Sequence, residues 1–109
     1  MTPFKQAMLA VHNELCRQES LCRAGKFDRT LQDDMPAAEK LAVVAEEFGE
    51  VAEVVSDSLQ HRTEPDHEAL KAELTQVAAC CVAWLMSYAD DPREDGLPVE
   101  AFSVNPGVA

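Results

Sequence analysis

Apolar side chains recur at helical spacing in three segments of this chain, and polar or helix-breaking residues separate the segments. In the first, Phe4, Met8, Val11, Leu15 and Cys22 follow one another at steps of four, three, four and seven. This spacing predicts an amphipathic helix over residues 3–24, with Gln18 interrupting the stripe. Thr2 is a suitable cap, Pro3 suits a first helical turn, and Gly25 suits a stop. Residues 25–36 carry Asp28, Asp33, Asp34 and Pro36 and read as a connection. Its length points to a functional loop or a short helical turn within it.

A second helix is expected to start at Asp34 or Pro36 and to run to Leu59. Leu41, Val44, Phe48, Val51, Val55 and Leu59 mark its apolar side. At about 100° per residue, Glu46, Glu50, Glu53 and Asp57 gather on the opposite side, and Glu47 falls at the border. A polar turn over 60–66 leads to a third helix, from Glu64 or Asp66 to Tyr88 or Ala89. From Leu74 onward that helix is apolar all round, which predicts burial all round. Two other helices in one small chain can hardly surround it, so a partner subunit is expected to cover one side. The 90–109 tail holds Pro92, Gly96, Pro98, Pro106 and Gly107, which exclude a long helix. Its Leu97, Val99, Phe102 and Val104 are expected to dock on the bundle.

The pattern therefore predicts an all-α fold: a bundle of three main helices per chain, completed by homo-oligomerisation to a dimer or tetramer. Residues 1–89 form the helical domain and 90–109 an irregular tail. The chain's 109 residues suffice for one domain of this kind. The composition, 47% hydrophobic and 27% charged, is that of a folding chain.

Charge narrows the partners. Twenty acids against nine bases give a formal net charge of −11 and no basic patch. Nucleic acid and anionic membranes are thereby disfavoured. An acidic protein that handles a phosphorylated substrate needs a cation to mediate the contact. No signal peptide is indicated, and the longest apolar run, Val77 to Met86, is short for a bilayer span. Cys16, Cys22, Cys80 and Cys81 form no C-x-x-C pair and are expected as reduced, mostly buried thiols. These features suit a cytoplasmic protein.

The candidate chemistry lies in two acidic patterns. Glu46-Glu47-Phe48-Gly49-Glu50 is followed by Glu53, and Glu73-Leu74-Thr75-Gln76 stands where the third helix turns apolar. Carboxylates three or four apart share one side of a helix, where like charges repel by about 0.2–0.5 kcal/mol per pair. Two such helices side by side can surround a hard divalent cation with oxygens. The rival reading makes these acids a solvated face and Glu73 a residue that favours the positive end of its helix. His12, His61 and His67 are scattered and suit surface positions. The chain holds no Gly-rich phosphate loop and no Glu-x-x-His pair.

In these motifs the chain resembles the MazG-like, all-α nucleoside triphosphate pyrophosphohydrolases. Their pattern is Glu-Glu-x-x-Glu, a spacer, then Glu-x-x-Asp. Glu46, Glu47 and Glu50 match the first half and Glu73 opens the second, with residues 51–72 between. The resemblance extends over residues 37–89. It implies cleavage between the α- and β-phosphates of a nucleotide, giving a monophosphate and pyrophosphate, in nucleotide-pool house-cleaning. It further implies magnesium, or manganese, on Glu47, Glu50, Glu73 and Gln76, with Glu46 orienting or deprotonating the attacking water. By location, Glu53 is an outer-shell candidate and Lys40 a phosphate contact. Gln76 stands where the commoner pattern has Asp. Its carbonyl can ligate magnesium but brings no charge. Two alternatives follow: a catalytically weak relative that binds a nucleotide or metal, and a structural helical interaction module.

Overall fold

A computed structural model describes residues 1–25, 31–32 and 34–89. Three helices follow in chain order: α1 (Pro3–Arg23), α2 (Ala37–His61) and α3 (His67–Met86). Among the described residues there is no strand. The all-α expectation holds, and the three helices start and stop within a few residues of the expected positions. The expected docking of Leu97, Val99, Phe102 and Val104 lies outside the described residues.

Local chemistry accounts for the boundaries. Thr2 accepts from the Lys5 amide at 3.2 Å through Oγ1, and Pro3 occupies the first turn of α1. Gly25 stops that helix with φ at +79°, a conformation that costs glycine little. Asp66 caps α3 by accepting from the Ala69 amide at 3.1 Å. Arg62 ends α2 in the left-handed region at φ +54°.

α3 is the central element and packs on both α2 and α1. The core is small: Leu31, Cys80 and Ala83 are buried together, flanked by Leu15, Val43, Val44 and Trp84. Leu31 comes from the connecting segment, so that connection supplies a core residue as well as a link.

The inward faces differ from the expected ones. α2 buries Lys40, Val51 and Ser58, and half-buries Val43, Val44, Glu47, Glu50 and Val54. Of the expected apolar side, Val44 and Val51 point inward, whereas Leu41, Phe48, Val55 and Leu59 are exposed. The reason is geometric. At 100° per residue, Val43, Val44, Val51 and Val54 form one apolar arc and Leu41, Phe48, Val55 and Leu59 a second. Among the described residues only the first is covered.

α3 departs similarly. Ala79, Cys80 and Ala83 are buried, but Leu74, Cys81 and Leu85 are exposed, so the helix is not buried all round within the chain. By length and composition it meets the requirement for a membrane span, with 20 residues and a mean hydropathy of 1.3. The run from Val77 alone understated this, because only a few charged residues precede it in the helix. No residue of α1 is buried. All four cysteines are free, but Cys16 and Cys81 are exposed, against the expectation of mostly buried thiols. Burial pushes the Cys80 thiol up to about 11, which keeps it protonated.

Candidate metal centre

Glu47 and Glu50 stand one turn apart on α2, at the edge of the arc that packs on α3. Glu73 stands opposite them, half-buried near the start of the apolar part of α3. One carboxylate oxygen from each of Glu47, Glu50 and Glu73 lies within 4.8 Å of the other two. A shared magnesium ion allows about 4 Å across it and a calcium ion about 5 Å. The spread therefore suits a hard, oxygen-ligated cation after at most a small closing of the side chains.

Among the described residues, this cluster is only partly satisfied. Glu47 Oε2 and Glu73 Oε2 are both buried and have no hydrogen-bond partner. Burial of an unpaired carboxylate oxygen is costly, and ordinary folds avoid it. Electrostatics carry the same message. The Glu47 carboxyl is held above its ordinary value, first by burial and then by the negative charges of Glu50, Glu46 and Glu14, against a smaller opposing pull from Arg17. Glu50 is also raised, chiefly by hydrogen bonding with Glu73 and next by the charge of Glu73. Two carboxyls can hydrogen-bond only when one holds a proton, since ionised carboxylates only accept. A proton shared between them, a bridging water or a cation each relieves this contact.

The other sequence-derived residues fall around this trio. Glu46 is exposed beside Glu47, and its charge is felt by both Glu47 and Glu50. Gln76, one turn beyond Glu73, is half-buried. Glu53 is exposed, one turn past Glu50. Lys40 lies two turns before Glu47 on the same face, about 10 Å along the axis. It is only 4% exposed, with its ammonium 5.9 Å from the centroid of the Tyr88 ring. Lys40 and Tyr88 also border a small cavity with Gln32, Asp34, Met35 and Ser87.

Sequence reasoning missed the contribution of α1. Glu14 is 11% exposed and grips Arg17 through two hydrogen bonds, Nε to Oε1 at 2.8 Å and Nη2 to Oε2 at 2.7 Å. Gln18 donates to Glu14 Oε2 at 3.0 Å. Glu14 and Arg17 both act electrostatically on Glu47, so α1 brings a charged pair to the edge of the centre. The one available signal was Gln18, the polar break in an otherwise apolar stripe.

Comparison with protein-family models, with curated proteins and with solved structures finds no match to this chain.

Proposed function

We propose that this protein is a magnesium-dependent nucleoside triphosphate pyrophosphohydrolase that releases nucleoside monophosphate and pyrophosphate and serves nucleotide-pool house-cleaning. One observation carries the reading: three carboxylates from two helices converge, and two of their buried oxygens lack any donor. The resemblance of the Glu46-Glu47-x-x-Glu50 and Glu73 motifs to MazG-like enzymes supplies the substrate class.

Glu47, Glu50 and Glu73 would hold the cation, with Gln76 adding a neutral carbonyl. Manganese would serve in place of magnesium. When bound, a divalent ion neutralises phosphate charge and lowers the pKa of water. The protein's own part is positioning and charge placement, on which phosphoryl chemistry chiefly depends. Glu46, solvent-facing and adjacent to the trio, would take the proton of the attacking water. Lys40 supplies a cation two turns away on the same face, for the far end of the polyphosphate. Glu53 would tune the charge of the rim.

The test is an assay of the full chain with magnesium and a panel of nucleoside triphosphates, comparing pyrophosphate with phosphate. Pyrophosphate release that disappears with chelator is expected. Phosphate alone, or no product with any nucleotide, would overturn the reading.

A second reading rests on Gln76. A carboxamide where a charge would tighten the ion suits a weakly catalytic relative that binds a nucleotide or the metal and acts as a sensor. Gln76→Asp distinguishes the two: a large gain in turnover supports the weak relative, and no gain supports a competent native site.

A further inference from the structure

The outward side of α1 carries an imidazole and a thiol side by side. Glu14, Leu15 and Gln18 lie on the half-buried side of this helix. His12 and Cys16 lie across the helix from Glu14 and Gln18, and both are exposed. Four residues apart, they are neighbours on one stripe. The Cys16 Sγ lies 4.0 Å from the His12 Nε2. Among the described residues neither side chain has another hydrogen bond or an ion pair.

That separation is long for a hydrogen bond, but it is close to what one shared ion requires. Zinc takes thiolate sulfur at about 2.3 Å and imidazole nitrogen at about 2.0–2.1 Å, with tetrahedral angles. Those values place the two ligand atoms about 3.6 Å apart. A closing of about 0.4 Å, a small side-chain rotation, brings Sγ and Nε2 to that distance. Both ligands leave adjacent turns of a formed helix, so no backbone has to be ordered for the ion to be held.

We propose that His12 and Cys16 form a two-ligand site for zinc or a similar borderline-soft divalent ion. The thiol proton leaves to solvent as the sulfur–metal bond forms, and the neutral imidazole binds through its Nε2 lone pair. Glu19, next along the stripe, is engaged by Arg23 at 2.6 Å, so water fills the remaining positions. Ligand chemistry separates this site from the carboxylate trio. Sulfur and nitrogen favour zinc and its neighbours in the transition series, whereas oxygens alone favour magnesium. The inference is independent of the proposed reaction.

The site also has a mechanical consequence. No residue of α1 is buried, so packing holds this helix weakly. An ion clasping His12 and Cys16 resists fraying of that turn. Glu14 lies between the two ligands in sequence and Arg17 directly follows Cys16, so the same turn carries the charged pair at the edge of the trio.

The experiment is a titration of the reduced full chain with cobalt(II), followed by near-ultraviolet absorption. A sulfur-to-cobalt charge-transfer band arises only when a thiolate is bound, so the oxygen-only trio is silent in this measurement. The band is expected at sub-millimolar cobalt, to saturate with one sulfur-bound ion per chain and to vanish when zinc is added. Cys16→Ser should abolish it, and His12→Ala should weaken cobalt binding tenfold or more. Cys81→Ser, which removes the other exposed thiol, should leave it unchanged. Zinc should also slow alkylation of Cys16 in the native chain and not in His12→Ala. The three positions are solvent-facing or peripheral to the packing, and circular dichroism should show unchanged helical content. A native chain without the band overturns the inference. Undiminished binding in His12→Ala, or a band that disappears in Cys81→Ser, overturns it too.

Discussion

Two half-buried carboxylate groups lie side by side in this small bundle, and they are solved in opposite ways. On α1, Glu14 has a guanidinium and an amide donating to it, and the Arg17 hydrogen bond holds its carboxyl below the ordinary range. Between α2 and α3, Glu47, Glu50 and Glu73 have chiefly one another, and the Glu47 and Glu50 carboxyls are pushed up. The first group is complete as the chain folds. The second keeps two buried oxygens without a hydrogen-bond partner among the described residues. The bundle supplies arginine to Glu14 but leaves Glu47 Oε2 and Glu73 Oε2 without a hydrogen-bond partner among the described residues, a pattern consistent with the proposed binding site.

The largest expected effect is on activity. Glu73→Gln or Glu50→Gln should lower pyrophosphate release about 100-fold or more while helical content persists. Undiminished release from either variant removes that residue from the site. Glu14→Gln, in the completed group, should cost far less.

Next comes the response to the ion. At a magnesium concentration about 100 times its dissociation constant, binding adds about 2.7 kcal/mol to stability. For a domain this small that raises Tm by roughly 10 °C or more. A Glu47→Gln/Glu50→Gln double variant should show no such rise. An equal rise in that variant would place the ion elsewhere.

Smaller, and opposite in sign at the two groups, are the effects without metal. At neutral pH and with chelator, Glu50→Gln should raise Tm by removing an unfavourable charge. Glu14→Gln should lower Tm by stranding Arg17. Equal shifts in one direction would dissolve the contrast between the two groups.

The smallest effect is in the pH profile of metal-free protein. Groups with raised folded values bind extra protons when folded, so their contribution declines as pH climbs above the ordinary 4.5. Glu14, depressed from 4.5, contributes above that pH, and its contribution is lost as pH falls through its folded value. Glu50→Gln should flatten the limb above 4.5 and Glu14→Gln the acid limb, both read from thermal melts across pH. Saturating magnesium should flatten the upper limb as Glu50→Gln does.

The helices were legible because caps and periodicity are local. Thr2-Pro3, Gly25 and Asp66 act where a reader of the sequence expects them to. The facing of α2 was not, because the helix has two apolar arcs and periodicity alone does not rank them. Its consequence reaches the candidate centre. Once Val43, Val44, Val51 and Val54 face inward, Glu47 moves from the border of an outer face to the packed side. Glu50 follows it toward α3, while Glu46 and Glu53 stay in solvent. The trio came from the resemblance of the two acidic motifs, whereas periodicity grouped Glu50 with Glu46, Glu53 and Asp57. Glu14 and Arg17 were not legible, since their relevance arises from how α1 lies against α3, a contact written in no local pattern.

Manganese binding, followed by electron paramagnetic resonance on full-length protein at neutral pH, tests most directly whether the three carboxylates grip an ion. The account predicts that bound manganese is displaced by magnesium and is lost in Glu50→Gln and Glu73→Gln, with Glu14→Gln retaining it. Free manganese alone in the native protein, or binding unchanged in both site variants, would contradict it.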